Sequence, residues 1–246
     1  MFFNYGTFSF DYAIEFSSLS ISMKPNQDMY HYHRELGRWK RDINVCVREG
    51  HMLFHPIEPL FLPEIVTDYL EIQFDEVMIE PHSISVFFLT FPIEIGVFVQ
   101  ASGVTKILDV VSFNTPKYSL YGSVNRGVIT RWYKSGVFLS PPHVQNYQEG
   151  ILRLKIENTT DDWVNVSRVI IHEKGMHVYF DEHCVSMAAE MIISFGGTAA
   201  VTGVPLPLHK DMTHSVRMYE SRGSTPFFHT SISLIDSTFI MDAGLT

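Results

Sequence analysis

Three side chains in one short run have the types and spacing to share a cation. In Tyr30-His31-Tyr32-His33-Arg34-Glu35, a strand period of two turns His31, His33 and Glu35 to one side, and two imidazoles with a carboxylate form a donor set for a divalent metal. The competing reading is a solvated strand face opposite Tyr30 and Tyr32, because a His-x-His pair ordinarily needs ligands from elsewhere in the fold. A second cluster, His172, Glu173, His177, His183 and Cys184, has ligating side chains, but turns at Lys174-Gly175 and Asp181-Glu182 scatter their directions. Cys184 beside His183 is not expected to act as a nucleophile with its base, since strand neighbours point to opposite faces. Arg126, Arg131 and Trp132, followed by Tyr133 and Lys134, gather positive charge and aromatic surface. Such a set suits charge-assisted bonds and stacking against a partner or an acidic, planar ligand. The reading favoured for it is a strand with one buried aromatic face and cations lying along it. The acidic pairs Asp75-Glu76, Asp161-Asp162 and Asp181-Glu182 fall at predicted turns, where carboxylates serve solubility and local hydrogen bonding. Gly196-Gly197 and Gly203 lack the basic residue and following helix of a phosphate loop. No catalytic residue is assigned.

The elements that must carry these groups read as strands. Phe8, Phe10, Tyr12, Ile14 and Phe16 alternate with smaller or polar residues, as do Leu19, Ile21 and Met23, and the turn Lys24-Pro25-Asn26-Gln27-Asp28 makes the latter one arm of a hairpin. Alternation returns at Ile43–Val47 and Leu70–Phe74. Ile84–Leu89 and Ile95–Val99 are dense in β-branched and aromatic residues, and Val104–Phe113, Tyr118–Tyr121 and Gly127–Tyr133 follow as short strands. Beyond Ser140-Pro141-Pro142 alternation resumes at Leu152-Leu154-Ile156, then skips a beat between Val166 and Val169, which predicts a bulge near Ser167 and Arg168. Residues 183–193 read as strand, with helix as competitor because Met187-Ala188-Ala189-Glu190-Met191 are good helix formers. The strand signal recurs over 227–240. The fold class expected is all-β: two antiparallel β-sandwich-like, immunoglobulin-like domains with few or no long helices, over residues 1–140 and 150–246, joined by a linker at 141–149.

Composition narrows the partners. The 246 residues include 18 Lys+Arg against 27 Asp+Glu, a net charge of −9 that repels a phosphate backbone, so nucleic acid is not an expected partner. Met191–Leu208 runs uncharged, yet Gly196, Gly197, Gly203, Pro205 and Pro207 break it as a lipid-exposed helix, so membrane insertion is not expected. Two well-separated cysteines, Cys46 and Cys184, and no visible secretory signal in Met1–Thr7 point to a reducing, cytoplasmic setting.

Several strings are similar to a known family. Pro56-Ile57-Glu58-Pro59-Leu60-Phe61-Leu62-Pro63, Ile79-Glu80-Pro81, Phe91-Pro92-Ile93-Glu94-Ile95-Gly96-Val97, Ser119-Leu120-Tyr121-Gly122 ahead of Gly127-Val128-Ile129-Thr130-Arg131-Trp132-Tyr133, and Phe239-Ile240-Met241-Asp242-Ala243-Gly244 resemble the archaeal family called domain of unknown function 432. The resemblance implies an archaeal, cytoplasmic protein of unassigned activity, some of whose relatives are joined to small mechanosensitive channels, so that peripheral association with a membrane channel is one implied partner. It transfers no catalytic residue.

The leading functional expectation is a non-catalytic interaction or assembly module, presenting an edge strand or the patch of Arg126, Arg131 and Trp132 to a protein partner or to itself. One alternative is a metal-dependent binding protein or hydrolase using His31, His33 and Glu35. Another is a sandwich that binds carbohydrate or a small ligand. No cofactor is expected beyond a divalent metal at that triad, and the expectation leans away from an enzyme.

Overall fold

The structure, a computed structural model, describes residues 4–63, 65–195, 198–218 and 238–242. It is all-β. Two compact units divide the chain: the first holds residues 1–55 and 95–110, the second 56–94 and 111–246.

The strands in chain order are β1 (Gly6–Ser9), β2 (Tyr12–Phe16), β3 (Leu19–Asn26), β4 (Met29–Leu36), β5 (Trp39–Val45), β6 (His51–Ile57), β7 (Tyr69–Ile79), β8 (Ser83–Pro92), β9 (Glu94–Ala101), β10 (Val104–Val111), β11 (Lys117–Tyr121), β12 (Val128–Lys134), β13 (Glu149–Asn158), β14 (Val164–His172), β15 (Tyr179–Phe180), β16 (Val185–Ser194), β17 (Thr198–Val204), β18 (Thr213–His214) and β19 (Thr238–Asp242). A 3-10 turn at Glu173–Gly175 follows β14.

The first unit contains a meander, β2-β3-β4-β5, whose neighbours all pair antiparallel. Alternation sets its faces. Ile14, Leu19, Ile21, Met23 and Tyr32 are buried on the inner side, leaving the intervening polar residues outward. The continuous strand expected from Phe8 to Phe16 is instead two strands in different sheets. Asp11 takes a positive φ of 69° between them, a conformation that Asp tolerates better than most residues, and β1 pairs with β6 while β2 pairs with β3.

In the second unit one sheet runs β11-β12-β7-β14 and the other β18-β15-β16-β13-β8, with β17 branching from β16 and pairing onward to β19. Two pairs are parallel, β12 with β7 and β13 with β16, so these sheets are mixed where fully antiparallel ones were expected. Residues 185–194 form strand. β16 lies between β13 and β17, with Met187, Ala188 and Ala189 buried, and pairing on both sides overrides their helix propensity. The expected bulge is present as a register shift between Val166 and Arg168. Gly203 of β17 is required by close approach: a Cβ there would stand 1.6 Å from the Gly175 carbonyl oxygen.

Residues 141–149, expected as an interdomain linker, lie inside the second unit. Ile93 N–H and Asn114 Nδ2 both donate to the Gln148 carbonyl, and Glu149 N–H donates to that of Gln145, so the Pro-rich stretch is tied down at its end. Among the described residues no helix is long and apolar enough to cross a membrane. The strand expectation over 227–240 falls largely outside the described residues.

Candidate functional site

β4 is an inner strand of its meander, so each outward residue meets a cross-strand partner on both sides. His31, His33 and Glu35 face outward together, and the register sets Asn44, Asp42 and Lys40 of β5 against them. Lys24, Ser22 and Ser20 of β3 flank them on the other side. One carboxylate oxygen collects both imidazoles: Asp42 Oδ1 lies 3.1 Å from His31 Nε2 and 2.8 Å from His33 Nδ1. His31 Nδ1 is 3.0 Å from Asn44 Oδ1. Glu35 turns instead to Lys40 at 2.9 Å and stays 3.9 Å from His33 Nε2. The Asn44 bond, with Asp42 behind it, holds the His31 imidazole above its ordinary range, and the His33 bond leads those that pull Asp42 below the usual carboxylate range.

The opposite face of the same strands is locked by a buried carboxylate. Asp109 accepts from Tyr32 Oη at 3.0 Å, Arg34 Nε at 2.9 Å and Arg41 Nη1 at 3.1 Å. Arg34 comes from β4 and Arg41 from β5, so one buried acid fixes the register that aligns the outward triad.

The second histidine cluster is reassembled. Cys184 meets Asp181 and His209, with donor atoms within 4.8 Å of one another, while His183 contacts Glu182. His172 Nδ1 instead accepts from the Lys174 amide, and the ring of His177 lies 6.0 Å from that of His214. Asp181 Oδ1 accepts from the amides of His183 and Cys184, and Oδ2 lies 3.2 Å from His209 Nδ1. Cys184 packs with Val144, Ile151 and Met212, and burial pushes its thiol up to about 11, which suits a core thiol and not a nucleophile.

Arg126, Arg131 and Trp132 are not brought together as a surface. Arg126 is exposed at a turn. Arg131 and Trp132, adjacent on β12, point to opposite sides; Trp132 Nε1 donates to Gln73 Oε1 at 3.1 Å, and Lys117 lies over its ring. Arg131 is 2% exposed and cannot offer its charge to a partner. Its Nη1 donates to Glu94 Oε1 at 3.3 Å and to the Leu62 carbonyl at 3.1 Å, and Glu94 also accepts from the Phe61 and Leu62 amides. Burial pushes Glu94 above the usual carboxylate range, while Arg131 and those amides pull it back.

A family model described as "Protein of unknown function (DUF432)" matches residues 4–242. The chain belongs to this family. No curated protein and no solved structure matches it. In this DUF432 chain, three of the strings that carried the resemblance converge on one buried clamp: Phe61 and Leu62 from Pro56–Pro63, Glu94 from Phe91–Val97 and Arg131 from Gly127–Tyr133. A further acid, Glu58, sits in the same first string. It is 2% exposed, its Oε2 has no hydrogen-bond partner among the described residues, and burial pushes its carboxyl up to about 7, with Glu173 adding to the shift and Arg217 opposing it.

Sequence reasoning missed Asp42 and Asn44. The signal was present in Lys40-x-Asp42-x-Asn44, a polar face at strand period one turn beyond His-x-His, which a hairpin at Gly37-Arg38 folds back alongside it.

Proposed function

We propose that this DUF432 protein is a non-catalytic assembly module that pairs with a second copy of itself through β11. One observation carries the reading. β11 ends its sheet with no strand on its outer side among the described residues, and its apolar side chains are open: Tyr118 39%, Leu120 44% and, opposite Leu120 on β12, Ile129 50% exposed. Ile65 and Val66, 51% and 43% exposed, continue this surface up to Thr67, whose hydroxyl donates to the Ile129 carbonyl. An edge strand is ordinarily guarded by charge or proline along its length. Here Pro116 and Lys117 guard only its first residue, and Lys117 is drawn over the Trp132 ring.

Antiparallel pairing of two β11 strands is self-complementary under a two-fold axis and joins two four-stranded sheets into one of eight. The two free thiols fit a reducing, cytoplasmic setting. Sedimentation equilibrium tests the pairing. The wild type is expected to dimerise and Leu120→Lys to be monomeric, with a melting temperature equal to that of the wild type at dilutions where the wild type is itself monomeric. A wild type that stays monomeric at its highest soluble concentration overturns the reading. Arg131→Ala is not a test of it, because that change removes a core ion pair.

A further inference from the structure

We propose that His31, His33 and Asp42 form a binding site for a late first-row divalent cation such as Zn2+, with Asn44 as the residue that orients His31. The inference is independent of β11 pairing and rests on the outward face of the first unit's meander.

The orientation of His31 is the first argument. An amide oxygen only accepts, so Asn44 Oδ1 at 3.0 Å assigns the proton to His31 Nδ1. In the neutral ring the lone pair is then on Nε2, which faces Asp42 Oδ1 at 3.1 Å. A lone pair facing a carboxylate oxygen is repulsive unless a proton or a metal ion stands between them. His33 Nδ1 approaches the same oxygen at 2.8 Å, so two imidazole nitrogens converge on one carboxylate. Neutral imidazoles ligate metals in this way, each with its other nitrogen available to a hydrogen-bonding partner.

Spacing is the second argument. Metal bonds of about 2.0–2.2 Å place neighbouring donors roughly 3.3–3.6 Å apart at the tetrahedral angle and roughly 3 Å apart at a right angle, so the His31–Asp42 and His33–Asp42 separations of 3.1 and 2.8 Å need open by well under about 1 Å to admit the ion. The three groups approach along two hydrogen-bonded strands whose register Asp109 holds from beneath, so little ordering remains to be done on binding. The side chains of His31, His33 and Asp42 are 39%, 33% and 55% exposed, which leaves further positions to water.

Ligand type selects the ion. Two nitrogens and one oxygen favour Zn2+, Ni2+, Co2+ or Cu2+ over Mg2+ and Ca2+, which prefer all-oxygen shells. Glu35, the third ligand expected from sequence, is two residues along the strand from His33 and is held by Lys40. Asp42 replaces it because the register places it directly across from His33.

The experiment is isothermal titration of the full chain with Zn2+ in a non-chelating buffer, with histidine ring resonances followed by NMR. One Zn2+ per chain is expected, shifting the His31 and His33 ring signals and outcompeting excess Mg2+. His33→Ala and Asp42→Asn should each weaken binding by more than about tenfold. Asn44→Ala should weaken it by about tenfold through His31 orientation, while Glu35→Gln should leave it within about twofold, Glu35 being outside the ligand set. Circular dichroism checks that each variant retains its sheet content. The assignment is overturned if the wild type takes up no stoichiometric Zn2+, if the His31 and His33 signals do not move, or if Glu35→Gln weakens binding as much as Asp42→Asn does.

Discussion

Replacing Glu58 by Gln should leave stability nearly unchanged below pH 4.5 and raise it progressively as pH climbs from there to 7, with little further gain above. The carboxyl is buried, its Oε2 has no partner among the described residues, and its pKa is raised from an ordinary 4.5 to about 7. A carboxyl with a raised native pKa binds its proton more tightly folded than unfolded. Its favourable contribution is therefore complete below pH 4.5 and is lost as pH rises through 7. The loss is the shift multiplied by about 1.4 kcal/mol per pH unit, or about 3 kcal/mol at full ionisation, an upper value because relaxation around the buried charge reduces it. Glutamine resembles the protonated acid in shape and charge and does not titrate. The stability difference between Glu58→Gln and wild type should thus be small at pH 5 and grow to as much as about 3 kcal/mol by pH 9, roughly 6–12 °C in melting temperature for a chain of this size. Calorimetric melts of both proteins at each pH measure it directly. A difference that stays constant from pH 5 to pH 9 refutes the argument, since it would mean that Glu58 titrates alike folded and unfolded.

Arg131→Ala leaves Glu94 buried without its guanidinium, and about 3–5 kcal/mol of stability should be lost in urea unfolding at neutral pH; a loss below about 1 kcal/mol would mean the clamp carries little. The two thiols should separate kinetically. Exposed Cys46 reacts quickly with a disulfide reagent at pH 8, whereas Cys184, buried with its thiol pushed up to about 11, reacts only on unfolding. One fast equivalent that disappears in Cys46→Ser is the expected result, and two fast equivalents would contradict the burial of Cys184.

Strand content was legible because alternation directly reports one buried face. Leu19, Ile21 and Met23 are inward in sequence and in structure, and the missed beat before Val169 marks a real register shift. Connectivity was not legible. Parallel pairing of β13 with β16 joins segments about thirty residues apart, and no local pattern encodes which distant strand a segment chooses. The boundary placed at Pro141-Pro142 followed turn chemistry, whereas the compact units divide near residues 55, 94 and 110, inside or beside continuous strands. Strands that pass from one unit into another leave no break in hydrophobic rhythm for sequence to display.

The candidate metal site shows the same limit at the scale of single side chains. Alternation along Tyr30–Glu35 correctly places His31, His33 and Glu35 on one face, because that is a property of one strand. A third ligand depends on how two strands are offset, and in a hairpin a slip of one residue would turn Asp42 and Asn44 inward and Arg41 outward. What prevents the slip is on the other face: Arg34 and Arg41 must both reach Asp109, 75 and 68 residues away in sequence. Disrupting that buried carboxylate with Asp109→Asn should therefore weaken Zn2+ binding on the outer face, although Asp109 touches none of the three ligands. The same change should lower stability, since it removes the charge that neutralises two arginines. If Zn2+ binds the folded Asp109→Asn protein with unchanged affinity, the register is held by the hairpin alone and the coupling between the two faces is absent.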